Sequence, residues 1–353
     1  MRISAGVCAA LVFLAASSAS AHVALSSVDV HVRADSVEVA VVGHAYDFAH
    51  ELGIDPPEKL MDLDFLERQK EALVRLVDSG VIVSADGAPL AGASWSLPAA
   101  APEQQLIQLH VRYPTSSAAG RITVSSRLFA YDSAHQTLVN VYEGDSIRTQ
   151  QMLDAGRLQM DYFTTSRAGL RSVVTQFARA GIEHALAGYD HVLFVAALFL
   201  LGAPARRAGA IAAAFSLSCL VALAVGASGW ITAPVYIVAP GVALSVVYAS
   251  VDNLMMRGGR DVRIWVALAF GWVHGLALAH ALTAMDRPLR GFAWGALSFA
   301  ISADAALLLV AIAVLSVSQL VAARGDGSLR ALTVAGSVAL ALAGAASFVR
   351  DIL

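Results

Sequence analysis

Four of the ten histidines in this chain, His184, His191, His274 and His280, fall in stretches that are otherwise almost wholly apolar. Asp190, Asp252 and Asp304 accompany them, with Glu183 at the edge of the first stretch, Asn253 beside Asp252, and Cys219 in the same half. An ionisable side chain inside a bilayer costs roughly 3 kcal/mol or more unless it is paired or lines a polar route, so each is a candidate for function. Imidazole, carboxylate and thiolate are the donors that hold transition-metal ions. The chemistry these residues offer is metal binding along a path, and because neutral imidazole is the binding form it should weaken as pH falls through the histidine range.

Spacing sharpens the expectation. His184 and His191 are seven residues apart, so on an unbroken helix they share a face but stand roughly 10.5 Å apart along the axis. Two imidazoles on one metal need nitrogens within about 3.5 Å. Either the two serve successive sites, or Gly188 marks an unwound turn. Asp190 points about 100° away from His191, where it could orient another ligand.

The elements that must position these groups are transmembrane helices. The 353 residues are 57% hydrophobic and 14% charged, with mean hydropathy +0.65, against about 25% charged for a soluble domain. An ordinary cytosolic enzyme is excluded, and with a net charge of −3 no basic arm suggests nucleic acid. Hydropathy predicts six helices spanning a lipid bilayer, roughly 181–203, 209–228, 232–254, 262–284, 291–317 and 329–349, within a membrane domain over 181–350. Arg206, Arg207, Arg257, Arg260, Arg263, Arg324 and Arg330 fall in one set of loops, and Arg287, Arg290 and Arg350 in the other. The positive-inside rule then puts the N-terminal domain and the C-terminus outside. This orientation places His184 and His280 at the outer rim, His191 deeper, His274, Cys219 and Asp304 near the centre, and Asp252 towards the inside.

Ahead of the helices, residues 1–21 read as a signal peptide ending Ala19-Ser20-Ala21. Its removal takes Cys8 and leaves Cys219 as the one cysteine. Residues 22–172 are negatively charged and strand-rich, with period-two alternation at 28–33, 37–41, 106–111, 122–126 and 138–141. One helical stretch opens at Pro56-Pro57 and ends at Ser79-Gly80. A β-rich, sandwich-like exported domain with one helix is the expectation, and its surface is open to a periplasmic protein partner. Its histidines, His22, His31, His44, His50, His110 and His135, have no zinc-type spacing, although an N-terminal His22 suits copper.

Gly181-Ile182-Glu183-His184-Ala185-Leu186-Ala187-Gly188-Tyr189-Asp190-His191-Val192-Leu193-Phe194 resembles the signature of the HupE/UreJ family of membrane proteins. Phe270-Gly271-Trp272-Val273-His274-Gly275-Leu276-Ala277 resembles its second signature, and Tyr142-Glu143-Gly144 is similar to family members with a large exported domain. The resemblance implies nickel or cobalt uptake across the inner membrane, with the His/Asp/His residues of the first motif involved. It also marks departures. Cys219 stands where relatives carry His, Ala239 where they carry Glu, and Ala300 where they carry Asn, while Asp304 keeps the acid. A thiolate would favour a softer ion such as copper or zinc. Without a Walker-type motif, a secondary permease is expected rather than an ATP-driven pump or an enzyme. The alternatives are a metal sensor or assembly partner, and an intramembrane hydrolase holding zinc on His191, His274 and Asp304.

Overall fold

A computed structural model describes residues 24–255 and 261–353. The expected signal segment, His22, Arg257 and Arg260 lie outside the described residues. The chain divides after Tyr162 into two compact units.

Alternating apolar side chains build the first unit. Strands β1 (Leu25–Val32), β2 (Ser36–His44), β3 (Val81–Ala85), β4 (Ala88–Pro89), β5 (Ser94–Trp95), β6 (Ala99–Ala101), β7 (Leu106–Pro114), β8 (Arg121–Ser126), β9 (Gln136–Glu143), β10 (Ser146–Leu153) and β11 (Gln159–Phe163) make two sheets. The larger runs β10-β9-β1-β2-β7-β5, with β6 also on β7; the smaller runs β11-β8-β3-β4. β1 pairs antiparallel with β2, Val30 opposite Val39, and parallel with β9, Val28 opposite Val139. Val28, Val30, Val39, Val41, Ile107 and Val139 from one sheet share a single core with Val81, Val83, Ile122 and Val124 from the other.

The helical content of this unit differs from expectation. The 56–80 stretch forms a 3-10 turn (Pro57–Met61) and two helices, α2 (Leu63–Arg68) and α3 (Lys70–Gly80). Before them stands a further helix, α1 (Ala45–Leu52). His44 caps α1: its Nδ1 accepts from the Tyr46 N–H at 3.2 Å. The helix ends at Gly53, whose φ of +64° few side chains tolerate. The expected single helix is therefore several short ones.

In the second unit, α4 (Arg167–Ala187) and α5 (Tyr189–Phe199) are followed by α6 (Ala205–Ala227), α7 (Val235–Met255), α8 (Arg263–Thr283), α9 (Phe292–Ala322) and α10 (Asp326–Ile352). Five helices, α6 to α10, are long and apolar enough to cross a membrane; the pair α4 and α5, bent by 67°, makes a sixth span if counted as one. The first predicted span is therefore not a continuous helix, and α4 starts at Arg167, well before residue 181.

Small residues set the helix contacts. A methyl group at Gly275 would lie 2.3 Å from the Cys219 carbonyl oxygen, and one at Gly271 would lie 2.9 Å from that of Phe215. Gly271 and Gly275 form a G-x-x-x-G pair that lets α8 press against α6. Gly181 does the same for α4 against α9, where a methyl group would meet the Phe299 carbonyl at 2.3 Å.

Candidate functional site

The chain breaks at Gly188, between the last turn of α4 and the first turn of α5. The Gly188 N–H still donates to His184 O, and the His191 N–H turns back to Gly188 O. The 67° bend undoes the axial separation that an unbroken helix would impose. His184 and His191 rings come to 5.4 Å between centroids, and His191 and His274 to 4.8 Å. His191 Nδ1 and His274 Nδ1 are 2.7 Å apart, and both rings are buried. Phe194 and Phe215 pack against His274, with ring centroids at 4.7 and 5.5 Å. His184 Nε2 is buried with no hydrogen-bond partner. Of the two alternatives that the spacing left open, Gly188 marks the break, and His184, His191 and His274 stand in one three-imidazole cluster.

Gly188 has an ordinary φ of −73°, so its backbone conformation does not require glycine. Its side-chain space does: a methyl group there would lie 2.9 Å from His184 O and from His191 Cδ2, and 3.5 Å from His191 Nε2. Gly188→Ala should press on the His184 carbonyl, displace the His191 ring and lower the apparent affinity for metal about tenfold. Metal titration of the purified variant checks this; parental affinity would show that the ring has slack.

Residues 160–351 match the family described as HupE / UreJ protein. The chain belongs to the HupE/UreJ family. Members are associated with nickel and cobalt transport, and the family is of transporter rather than enzyme type. The match starts just before α4, so the β-rich unit lies almost wholly outside it. No curated protein matches the chain in sequence. The first family signature straddles the break, with His184 on α4 and Asp190 and His191 on α5; the second carries His274 and both close-packing glycines of α8.

The remaining candidates of this HupE/UreJ chain lie apart from the imidazoles. Asp190 faces α10: its Oδ1 accepts from Ser347 Oγ at 2.7 Å, and Arg350 stands 3.6 Å from Oδ2. It therefore anchors the last helix instead of orienting a histidine. Cys219 and Asp304 share a small cavity with Phe215 and Ala300, and Asp304 Oδ1 accepts from Ser216 Oγ at 2.6 Å. His280 is exposed and lines a separate cavity of about 380 Å³ with Thr283 and Arg287. Glu183 pairs with Arg179 at 2.6 Å on the surface. Among the described residues no group of three or more His, Cys, Asp or Glu side chains is placed to hold a metal ion. The His191, His274 and Asp304 set that a zinc hydrolase would need is not assembled.

The sequence singles out Asn253 but not its task, and it does not point to Ser318 or to the inward turn of Arg263; together these close the other end of α5. The carbonyls of its last turn and of the residues just after it have no helical partners, and three neighbouring helices supply them. Asn253 Nδ2 donates to Ala197 O at 2.7 Å, Ser318 Oγ to Leu200 O at 2.9 Å, and Arg263 Nη1 to Leu198 O and Gly202 O at 3.3 and 3.1 Å. Arg263 also grips Asp261 through Nε and Nη2, both at 3.1 Å, and Arg207 Nε joins the same carboxylate at 3.1 Å. Burial would raise the Asp261 carboxyl, but hydrogen bonds from Arg263 and Arg207 outweigh it and hold the group at about 2. Asp252 lies within electrostatic reach of Asp261 and Arg263.

Proposed function

We propose that this HupE/UreJ chain is a secondary permease that carries a divalent transition-metal ion, nickel or cobalt, across the inner membrane, with residues 22–172 and the C-terminus outside. The observation that carries this reading is the broken span that sets the buried, unpartnered Nε2 of His184 beside His191. Transporters hold cargo at such breaks, where helix ends leave backbone groups free to help ligate it. Two imidazoles without a third side-chain ligand suit an ion that must leave as well as arrive; a closed four-ligand cage would keep it. The nitrogen-only character of the break favours nickel or cobalt over copper(I). Cys219, the soft donor, stands with Asp304 in the neighbouring cavity.

Purified protein in proteoliposomes loaded with a metal-sensing dye tests the proposal. External nickel and cobalt should enter saturably, and each should compete with the other more strongly than zinc or copper does. Entry no faster than in protein-free liposomes would overturn it.

A further inference from the structure

Ser245, on α7, is completely buried, and the transport reading so far gives it no role. Its hydroxyl oxygen lies 2.5 Å from the Val242 carbonyl oxygen and 3.0 Å from His274 Nε2. A carbonyl has no proton to give, so at that distance the single hydroxyl hydrogen must point to Val242. Ser245 Oγ can then meet His274 only as an acceptor, and His274 Nε2 must carry a hydrogen. In the neutral ring the other nitrogen, Nδ1, is bare. That bare nitrogen faces His191 Nδ1 at 2.7 Å, so His191 Nδ1 is the donor. One proton position fixes the next, and the chain ends with His191 Nε2 unprotonated.

The position of that last nitrogen is what matters. The Cδ2–Nε2 edge of His191 fills the space where a side chain at Gly188 would begin, at the break. His184, with its own unpartnered Nε2, is the neighbouring ring. We infer that Ser245 is a positioning residue: acting through His274, it locks His191 in the tautomer whose Nε2 lone pair faces the break, ready for a metal ion. His274 is then the group that orients His191 and does not itself ligate. Metal-binding histidines commonly donate their other N–H to such a partner, and losing the partner costs 10–100-fold in affinity, by rough measure. The functional consequence rests on the metal-carrying reading; the proton arrangement does not.

The test therefore has two parts, both on the full chain in lipid bilayers. Nitrogen-15 spectra of the metal-free, histidine-labelled protein report which ring nitrogens carry protons, with single histidine variants assigning the signals. The parent should show a bare Nε2 on His191 and a bare Nδ1 on His274; Ser245→Ala, which removes one atom, should give a mixture that includes the reversed pair. In liposome uptake of nickel, Ser245→Ala should raise KM about tenfold with kcat within about twofold, and Ser245→Thr, which keeps the hydroxyl, should restore both. A loss from simple unfolding would lower kcat through fewer active molecules and leave KM alone. A protonated His191 Nε2 in the parent, or parental tautomers and parental KM in Ser245→Ala, overturns the inference. The expected tautomers in a parent that moves no metal would uphold the proton arrangement and sink the transport reading instead.

Discussion

His184→Ala and His191→Ala should each lower kcat/KM for nickel uptake about a hundredfold, and the double variant should be no worse than either alone. Side chains that serve one ion act as a unit: once one imidazole is gone, the other has little left to hold, so the second loss costs almost nothing. Ligands of two successive sites would behave differently, each removing its own step, with losses that multiply. The ring separation of 5.4 Å argues for the single site. Liposome uptake over a range of nickel concentrations gives the four kcat/KM values of the cycle. Additive free-energy losses would return the two histidines to separate sites.

How much of this was legible beforehand depends on what each feature rests on. The valine alternation of β1, β2 and β9 gave their strands directly, because a half-buried sheet repeats every two residues. The six apolar stretches were equally plain. Helix α1 was not, since it is only eight residues long and is capped by His44 instead of the usual Ser, Thr, Asp or Asn. Its apolar Ala45, Phe48, Ala49 and Leu52, followed by Gly53, would have signalled it. The break at Gly188 left one clue, the glycine itself. Whether a glycine in an apolar helix packs, bends or breaks is decided by neighbours far away in sequence; here the His191 ring and the His184 carbonyl occupy the missing side-chain space. Hydropathy counts composition and so could not distinguish one span from two short helices. Arg263 was misread for a related reason. It was taken as a loop charge, whereas its side chain is only 8% exposed and faces inward to Asp261 and α5.

Arg263→Ala should destabilise the second unit by about 3–5 kcal/mol, the range for removing one partner of a buried ion pair. Helix α5 has 11 residues, about 16 Å of helix, and its final carbonyls end among packed helices, where they must be satisfied by side chains. The arginine fork meets Leu198 O in the last turn of α5, Gly202 O just beyond it, and both oxygens of Asp261 together. A lysine has no such fork, so Arg263→Lys should recover only a small part of the loss. Arg207 shares the carboxylate but is about one-third exposed, and Arg207→Ala should cost about 1 kcal/mol or less. The pH dependence follows from the depressed Asp261 carboxyl. Its contribution is fully present above the unfolded value near about 3.9 and is lost as pH falls through about 2. Acid should therefore narrow the gap between parent and Arg263→Ala, because protonated Asp261 no longer rewards the arginine. Equilibrium unfolding in mixed micelles, at pH 7 and again near pH 3, measures both effects. A difference under about 1 kcal/mol at pH 7 would mean that water or other side chains satisfy the end of α5, and that Arg263 is not what closes it.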